Sequence, residues 1–148
     1  MKIIIDADSC PVKEIAVRIA GENRIRVLMV SSIAHHHPEQ EGVSLKQVDA
    51  MPQEADMEII NSSRRGDIVV TYDQGLASIV LAKGAGALSP DGTIFREKEI
   101  DSLLAVRELK RMLRSRGIRT KGPKKRTKEQ DKKFERNLSR LIREISCL

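Results

Sequence analysis

The sequence predicts an α/β fold, three layers deep (α/β/α), around a mainly parallel central sheet, with a basic helical extension at its C-terminal end. Three observations predict it. The apolar runs Ile3-Ile4-Ile5 and Ile68-Val69-Val70 have the continuous character of strands buried on both faces. Both run into acidic residues, Asp6 and Asp73, where a parallel strand would end. Between such runs lie stretches with helical spacing, so strand, helix and strand succeed one another as in βαβ units.

The opening, Lys2-Ile3-Ile4-Ile5-Asp6-Ala7-Asp8-Ser9-Cys10-Pro11, reads as strand, acidic turn and helix start. Side chains alternate along a strand, so Asp6 and Asp8 share a face if the extended geometry persists. Pro11 suits the first turn of a helix, where a missing N–H costs nothing. Ligands bind at the carboxyl ends of strands in open α/β sheets, and two carboxylates there attract a hard divalent cation. The competing reading makes Asp8 or Ser9 a helix cap; it leaves Asp6 unexplained.

Val12, Ile15, Ala16, Ile19 and Ala20 form one helical face, which Gly21 and Asn23 stop. Ile25 to Val30 is a second strand. Ser31 to Gly42 is a polar loop carrying His35, His36 and His37, which lack the i, i+4 spacing of a helical metal pair. Val43 to Val48 is a short strand, and Pro52 breaks the chain. Glu54 to Ser63 is a helix with Ala55, Ile59 and Ile60 inward and Asp56 in its first turn. Asp56 either complements the positive end of that helix or is a further metal ligand.

Asp67 opens the second acidic strand, and Asp73 closes it. At ~3.3 Å per residue the two stand roughly 20 Å apart, so Asp67 belongs to turn chemistry and Asp73 to the site. Gln74 to Lys83 is a helix with Leu76, Ile79 and Val80 on one face, and Gly84 is its stop. Ala87-Leu88 is a brief strand. Ser89-Pro90-Asp91-Gly92 has strong turn chemistry, and Thr93 to Phe95 pairs back as a hairpin arm. Ile100 to Arg116 is a longer helix, with Ile100, Leu103, Leu104 and Leu113 apolar, closed by Gly117. Arg119 to Lys128 is a basic loop around Gly122-Pro123. Lys128 to Ile145 is a last helix, with Phe134, Leu138, Leu141, Ile142 and Ile145 on one face and Lys132, Lys133, Arg136, Arg140 and Arg143 on the other.

With 148 residues the chain suffices for one domain, 1–148, on which residues 100–148 pack as the extension. Only three residues are aromatic, Tyr72, Phe95 and Phe134, so the core is aliphatic, and the scarcity argues against a base-stacking platform of the kind single-strand binders use. Cys10 and Cys147 offer neither a disulfide framework nor zinc spacing. No segment is long and apolar enough to span a membrane, and a cytoplasmic, reducing location is expected. Charge is uneven. From Arg107 onward lie 16 of the 27 basic residues and 5 of the 21 acidic ones, leaving 11 and 16 in the first 106. An acidic body with a basic tail points to nucleic acid or another polyanion as partner.

Asp6-Ala7-Asp8-Ser9-Cys10-Pro11-Val12-Lys13 resembles the signature opening of the YaiI/YqxD family of bacterial proteins. The likeness continues through Val48-Asp49, Ala55-Asp56, Gly66 to Asp73, Leu76-Ala77, Lys83-Gly84-Ala85, Leu88 to Gly92 and Gly122-Pro123. An aromatic residue of the family pattern shortly after Gly-Pro is replaced here by Lys124-Lys125-Arg126. The family looks like part of the PIN-like nuclease superfamily, whose members hold Mg²⁺ or Mn²⁺ with acids at strand ends. The resemblance implies Asp6, Asp56 and Asp73 as catalytic metal ligands, with Asp8 as a fourth.

The leading expectation is therefore metal-dependent phosphodiester hydrolysis acting on RNA. Clustered carboxylates need a cation to stay ionised together, and the cation activates water and clamps a phosphate. Lys13, Lys121, Lys124, Lys125 and Arg126 are the expected substrate-binding residues. One alternative is a non-enzymatic nucleic-acid or ribosome-associated protein with an idle acidic site. A lesser one is a phosphatase of the haloacid dehalogenase type, in which the first Asp of Asp-x-Asp is the nucleophile.

Overall fold

A computed structural model gives the fold. It describes residues 1–32, 40–51, 53–117 and 127–147, with the backbone alone at 9 and 98–105. His35, His36 and His37 and the basic loop bearing Lys121, Lys124, Lys125 and Arg126 lie outside the described residues.

The elements in chain order are β1 (Lys2–Asp6), a 3-10 turn (Ala7–Ser9), α1 (Lys13–Glu22), β2 (Arg26–Ser31), β3 (Val43–Gln47), α2 (Glu54–Ser62), β4 (Ile68–Val70), α3 (Gln74–Ala82), β5 (Gly86–Leu88), β6 (Ile94–Phe95), α4 (Glu97–Ser115) and α5 (Lys128–Ser146). The six strands form one sheet in the order β3-β2-β1-β4-β5-β6. All neighbours are parallel except β5 and β6, which are antiparallel. The expected α/β class and mainly parallel sheet are found. The chain starts at the centre, builds outward through β2 and β3, then returns to β4 on the other side of β1. That reversal opens a crevice between the carboxyl ends of β1 and β4.

Period-two alternation along β1 sorts its isoleucines into two cores. Ile3 and Ile5 pack with Ala16, Ile19 and Ala20 of α1 and with Phe134, Leu138, Leu141 and Ile142 of α5. Ile4 packs on the opposite face with Ile59 of α2 and Leu76, Ala77 and Val80 of α3. Ile68 and Val70 join the first core and Val69 the second. All three isoleucines of β1 are fully buried, so the sheet is covered on both sides and three layers result. Helix α5 packs on α1 and β5, with Phe134 and Leu138 fully buried. Its start is fixed by a capping box: the Thr127 hydroxyl accepts from the Gln130 N–H, and the Gln130 side chain accepts from the Thr127 N–H.

Several local expectations shift. The helix after the acidic turn starts at Lys13, so Pro11 sits in the turn before it and not in its first turn. Gly21 lies inside α1, and Asn23 closes it with its own N–H and side chain bonded to Ile19. Strand β4 is three residues long, with Asp67 before it and Thr71 to Asp73 after it. Ile79, expected inward, is 46 % exposed, and Ala77 takes its place against the sheet. The buried face of α3 is thus Leu76, Ala77 and Val80. Helix α4 begins at Glu97, three residues before the expected start.

The turn Ser89–Gly92 shows how tightly α5 is seated. A Cβ on Gly92 would stand 2.7 Å from the Phe134 nitrogen, and Gly92 has φ +94°. The Asn137 amide donates to the Gly92 carbonyl at 2.6 Å. Gly92→Ala is therefore expected to cost about 2–3 kcal/mol. Gly21→Ala, where nothing lies within 4 Å, should be neutral or stabilise by up to about 1 kcal/mol. Denaturant melts of the two variants check this; equal effects would refute the close packing at Gly92.

Candidate acidic site at the strand ends

Asp6 has the parity of Ile4, so it faces the layer that holds α2 and α3. Asp56, in the first turn of α2, and Asp73, at the start of α3, belong to that same layer. Sheet reversal, side-chain alternation and helix starts thus direct three carboxylates to one edge. Electrostatics records the meeting. The Asp6 carboxyl is pushed up to about 6, chiefly by burial and additionally by the like charges of Asp56, Asp8 and Asp73. Asp56 is raised too, first by burial and then by Asp73.

Thr71 ties the two strand ends together. Its buried hydroxyl donates to Asp6 Oδ2 at 3.2 Å and accepts from the Asp73 N–H at 3.0 Å. The first bond favours the ionised carboxylate, partly opposing burial. Asp73 Oδ1 accepts from the Leu76 N–H at 3.1 Å, which makes Asp73 the N-cap of α3. Asp73 is therefore both cap and cluster member.

Asp8 departs from the expected geometry. Extended backbone stops at Asp6, and the 3-10 turn carries Asp8 towards the end of β2. Its Oδ1 accepts from Ser31 Oγ at 2.7 Å, and its Oδ2 from the Ser32 N–H at 2.9 Å and Ser32 Oγ at 2.5 Å. Asp8 thus binds the turn to the neighbouring strand while its charge still reaches Asp6. Asp67 lies at the opposite, amino edge. It accepts from the Lys2 N–H at 3.0 Å, the Lys2 ammonium at 2.6 Å and the Arg64 N–H at 2.9 Å. Its separation from Asp73 follows from β4 running between them.

Asp6, Tyr72, Asp73, Gln74 and Arg107 line a cleft of about 440 Å³. Arg107 arrives from α4, and sequence reasoning missed it because nothing in a basic helix singles out one arginine. The Gln74 side-chain oxygen is buried without a partner among the described residues. Lys13, expected beside the acids, lines a different cavity of about 640 Å³ with Cys10, Pro11 and Met29. It sits on α1, which covers the other face of the sheet.

Among the described residues no three His, Cys, Asp or Glu side chains stand close enough to close on one metal ion. The donors available are half-buried carboxylates whose charges repel one another. Such donors fit a hard cation that keeps part of its water, as Mg²⁺ does with one or two carboxylates. No described helix is long and apolar enough to cross a membrane, and neither cysteine forms a disulfide.

Fold and edge together define a doubly wound α/β protein with an acidic cleft at the point where its strand order reverses. The chain belongs to the YaiI/YqxD family: the pattern described as "Uncharacterized BCR, YaiI/YqxD family" matches residues 4–144. It is 42% identical over 142 residues to a UPF0178 protein of Alkaliphilus metalliredigens, covering 96% of this chain and 92% of that one. A UPF0178 protein of Clostridium tetani is 41% identical over 96% of this chain and 97% of its own. One from Clostridium kluyveri is 44% identical over 96% and 93%. No solved structure shows a significant match.

The raised Asp6 carboxyl has a stability consequence. Its folded value lies above the ordinary 3.8, so the folded chain holds the extra proton between about pH 4 and 6. Stability is therefore greatest below that window and falls as pH rises through it. In chelator at pH 8, Asp6→Asn should stabilise by on the order of 1–2 kcal/mol once solvent screening is allowed for. Below pH 4 the gain should vanish. Asp67→Asn should instead destabilise by about 1–3 kcal/mol, because it sets an amide against buried donors. Thermal melts across pH check both, and a loss of stability in Asp6→Asn at pH 8 would contradict the crowding of charge.

Proposed function

We infer that the protein is a metal-dependent phosphodiesterase acting on RNA, in which one or two of Asp6, Asp56 and Asp73 bind Mg²⁺ or Mn²⁺ directly and the others act through the water the ion keeps. The observation that carries this reading is the shared edge of these three carboxylates, from β1, α2 and the β4–α3 junction, and their mutual charge repulsion. When bound, the cation supplies a water of lowered pKa and a counter-charge for a phosphate oxygen.

The chain's own residues have separable parts. Asp6 and Asp73 are held in register by the Thr71 hydroxyl. Asp8, bonded to Ser31 and Ser32, is a positioning residue for the turn and adds charge to the cluster. Arg107 offers a guanidinium to a phosphate at the cleft. Lys132, Lys133, Arg136, Arg140 and Arg143 on the exposed face of α5, together with Lys121, Lys124, Lys125 and Arg126, supply the positive field that draws in a polyanion. The phosphatase alternative is weakened by the 3-10 turn. It aims Asp8 at Ser31 and Ser32, where that chemistry needs the second acid beside the first.

In Mn²⁺ the full chain should cleave a single-stranded RNA oligonucleotide, and chelator should stop it. Asp6→Asn and Asp56→Asn should each lower the rate roughly 100-fold or more. Millimolar Mn²⁺ should also raise Tm in the wild type and not in Asp6→Asn, since a ligand of the folded state stabilises it. Affinity for RNA should fall steeply with salt. RNA bound with that salt dependence but cut by neither wild type nor variants would identify a binding protein with an idle site. A salt-independent affinity would remove nucleic acid as the partner.

A further inference from the structure

Of the three aromatic side chains, two are spent on the core: Phe134 is fully buried and Phe95 is 4 % exposed. The third, Tyr72, is 46 % exposed. It lies between Thr71 and Asp73, the two residues joined by a hydrogen bond at the end of β4. Val70 and Thr71 just before it are buried, whereas Tyr72 is not. Tyr72 lines the acid cleft, together with Arg107 from α4. Leaving a large ring half in water forgoes burial worth about 1.5–3 kcal/mol. A ring at the lip of a cleft recovers that through a ligand with a flat apolar face.

Nucleobases have such faces, and phosphates suit a guanidinium. In a duplex both faces of each base are already stacked, so only an unpaired base can lie on the ring. The scarcity of aromatic residues still argues against a platform of the single-strand-binder kind, on which successive bases each stack on a ring. A single ring beside an acidic cleft asks for one base and its adjoining phosphate.

We propose that Tyr72 and Arg107 form a nucleotide subsite at the mouth of the acid cleft, in which an unpaired base of single-stranded nucleic acid stacks on the Tyr72 ring and a neighbouring phosphate meets the Arg107 guanidinium. The subsite deepens the phosphodiester reading and rests on it for its biological sense. Its binding can be measured without any hydrolysis. It also selects substrate: a strand enters with an exposed base or is held only by charge.

The chain contains one tyrosine and no tryptophan, so its intrinsic emission reports Tyr72 alone. The full chain is titrated in chelator with a short single-stranded RNA, the matching DNA, the blunt RNA duplex and an abasic strand of the same length. Free tyrosine serves as the inner-filter control. Both single strands should quench the emission saturably, and the duplex and abasic strand should not. Tyr72→Leu should weaken binding of the base-bearing strands roughly tenfold and leave the abasic strand unchanged. Arg107→Gln should weaken base-bearing and abasic strands alike. Both residues are exposed, and circular dichroism should show that both substitutions leave the fold intact. Unquenched emission at saturation, equal quenching by duplex, or an unaltered affinity in Tyr72→Leu overturns the subsite. A chain that quenches but never cleaves in Mn²⁺ keeps the subsite and loses the hydrolytic reading. One that cleaves single and double strands equally, with unquenched tyrosine, does the reverse.

Discussion

Everything at the acidic edge depends on the parallel pairing of β1 with β4. Ile3, Ile4 and Ile5 lie beside Ile68, Val69 and Val70 in register, and all six are fully buried. Buried backbone groups must find partners, and here each strand is the other's partner. The chain reaches this pairing from two directions. It leaves β1 towards β2 and leaves β4 towards β5, so the two exits diverge and a gap stays open between them. Asp6 and Asp73 stand at the two sides of that gap, and the Thr71 hydroxyl spans it. A shift of register by one residue would turn Asp6 towards α1 and the opposite core.

The same edge carries an energetic conflict. Three half-buried acids repel one another, and two of them hold carboxyls above the ordinary value. Two closely filled hydrophobic layers elsewhere in the fold must offset this cost. Groups arranged at a loss to stability are where function is to be sought. Asp67, also an aspartate and 5 % exposed, shows the contrast. It is surrounded by donors from Lys2 and Arg64, so its burial is fully answered. Two aspartates that look alike in sequence thus differ in what their surroundings ask of them.

Most of the framework was legible because it follows from local pattern. Continuous isoleucine and valine runs marked the central strands, and the i, i+4, i+7 face of Phe134, Leu138, Leu141 and Ile142 marked α5. The different fates of Asp67 and Asp73 followed from strand rise alone. What failed was what depends on partners distant in sequence. Ser31 and Ser32 draw Asp8 out of the extended path, and nothing near Asp8 announces them. Lys13 lies only five residues from Asp8, yet α1 carries it to the other face of the sheet. Arg107 enters the cleft through the docking of α4, which no sequence spacing reveals. The buried face of α3, with Ala77 in place of Ile79, is decided by how the helix lies on the sheet and not by its own spacing.

Helix α5 closes the layer that β1 and α1 open, so the first and last parts of the chain share one core. Chains are made from the amino end, at about 5–20 residues per second. While the ribosome is still adding residues 128–146, Ile3, Ile5 and Ile19 have one another and the rest of α1, and lack the part of their cover that α5 supplies. The acids, by contrast, all reside in the half that emerges earlier, against the layer of α2 and α3. A nascent chain would therefore carry its charged edge before α5 seals its apolar flank.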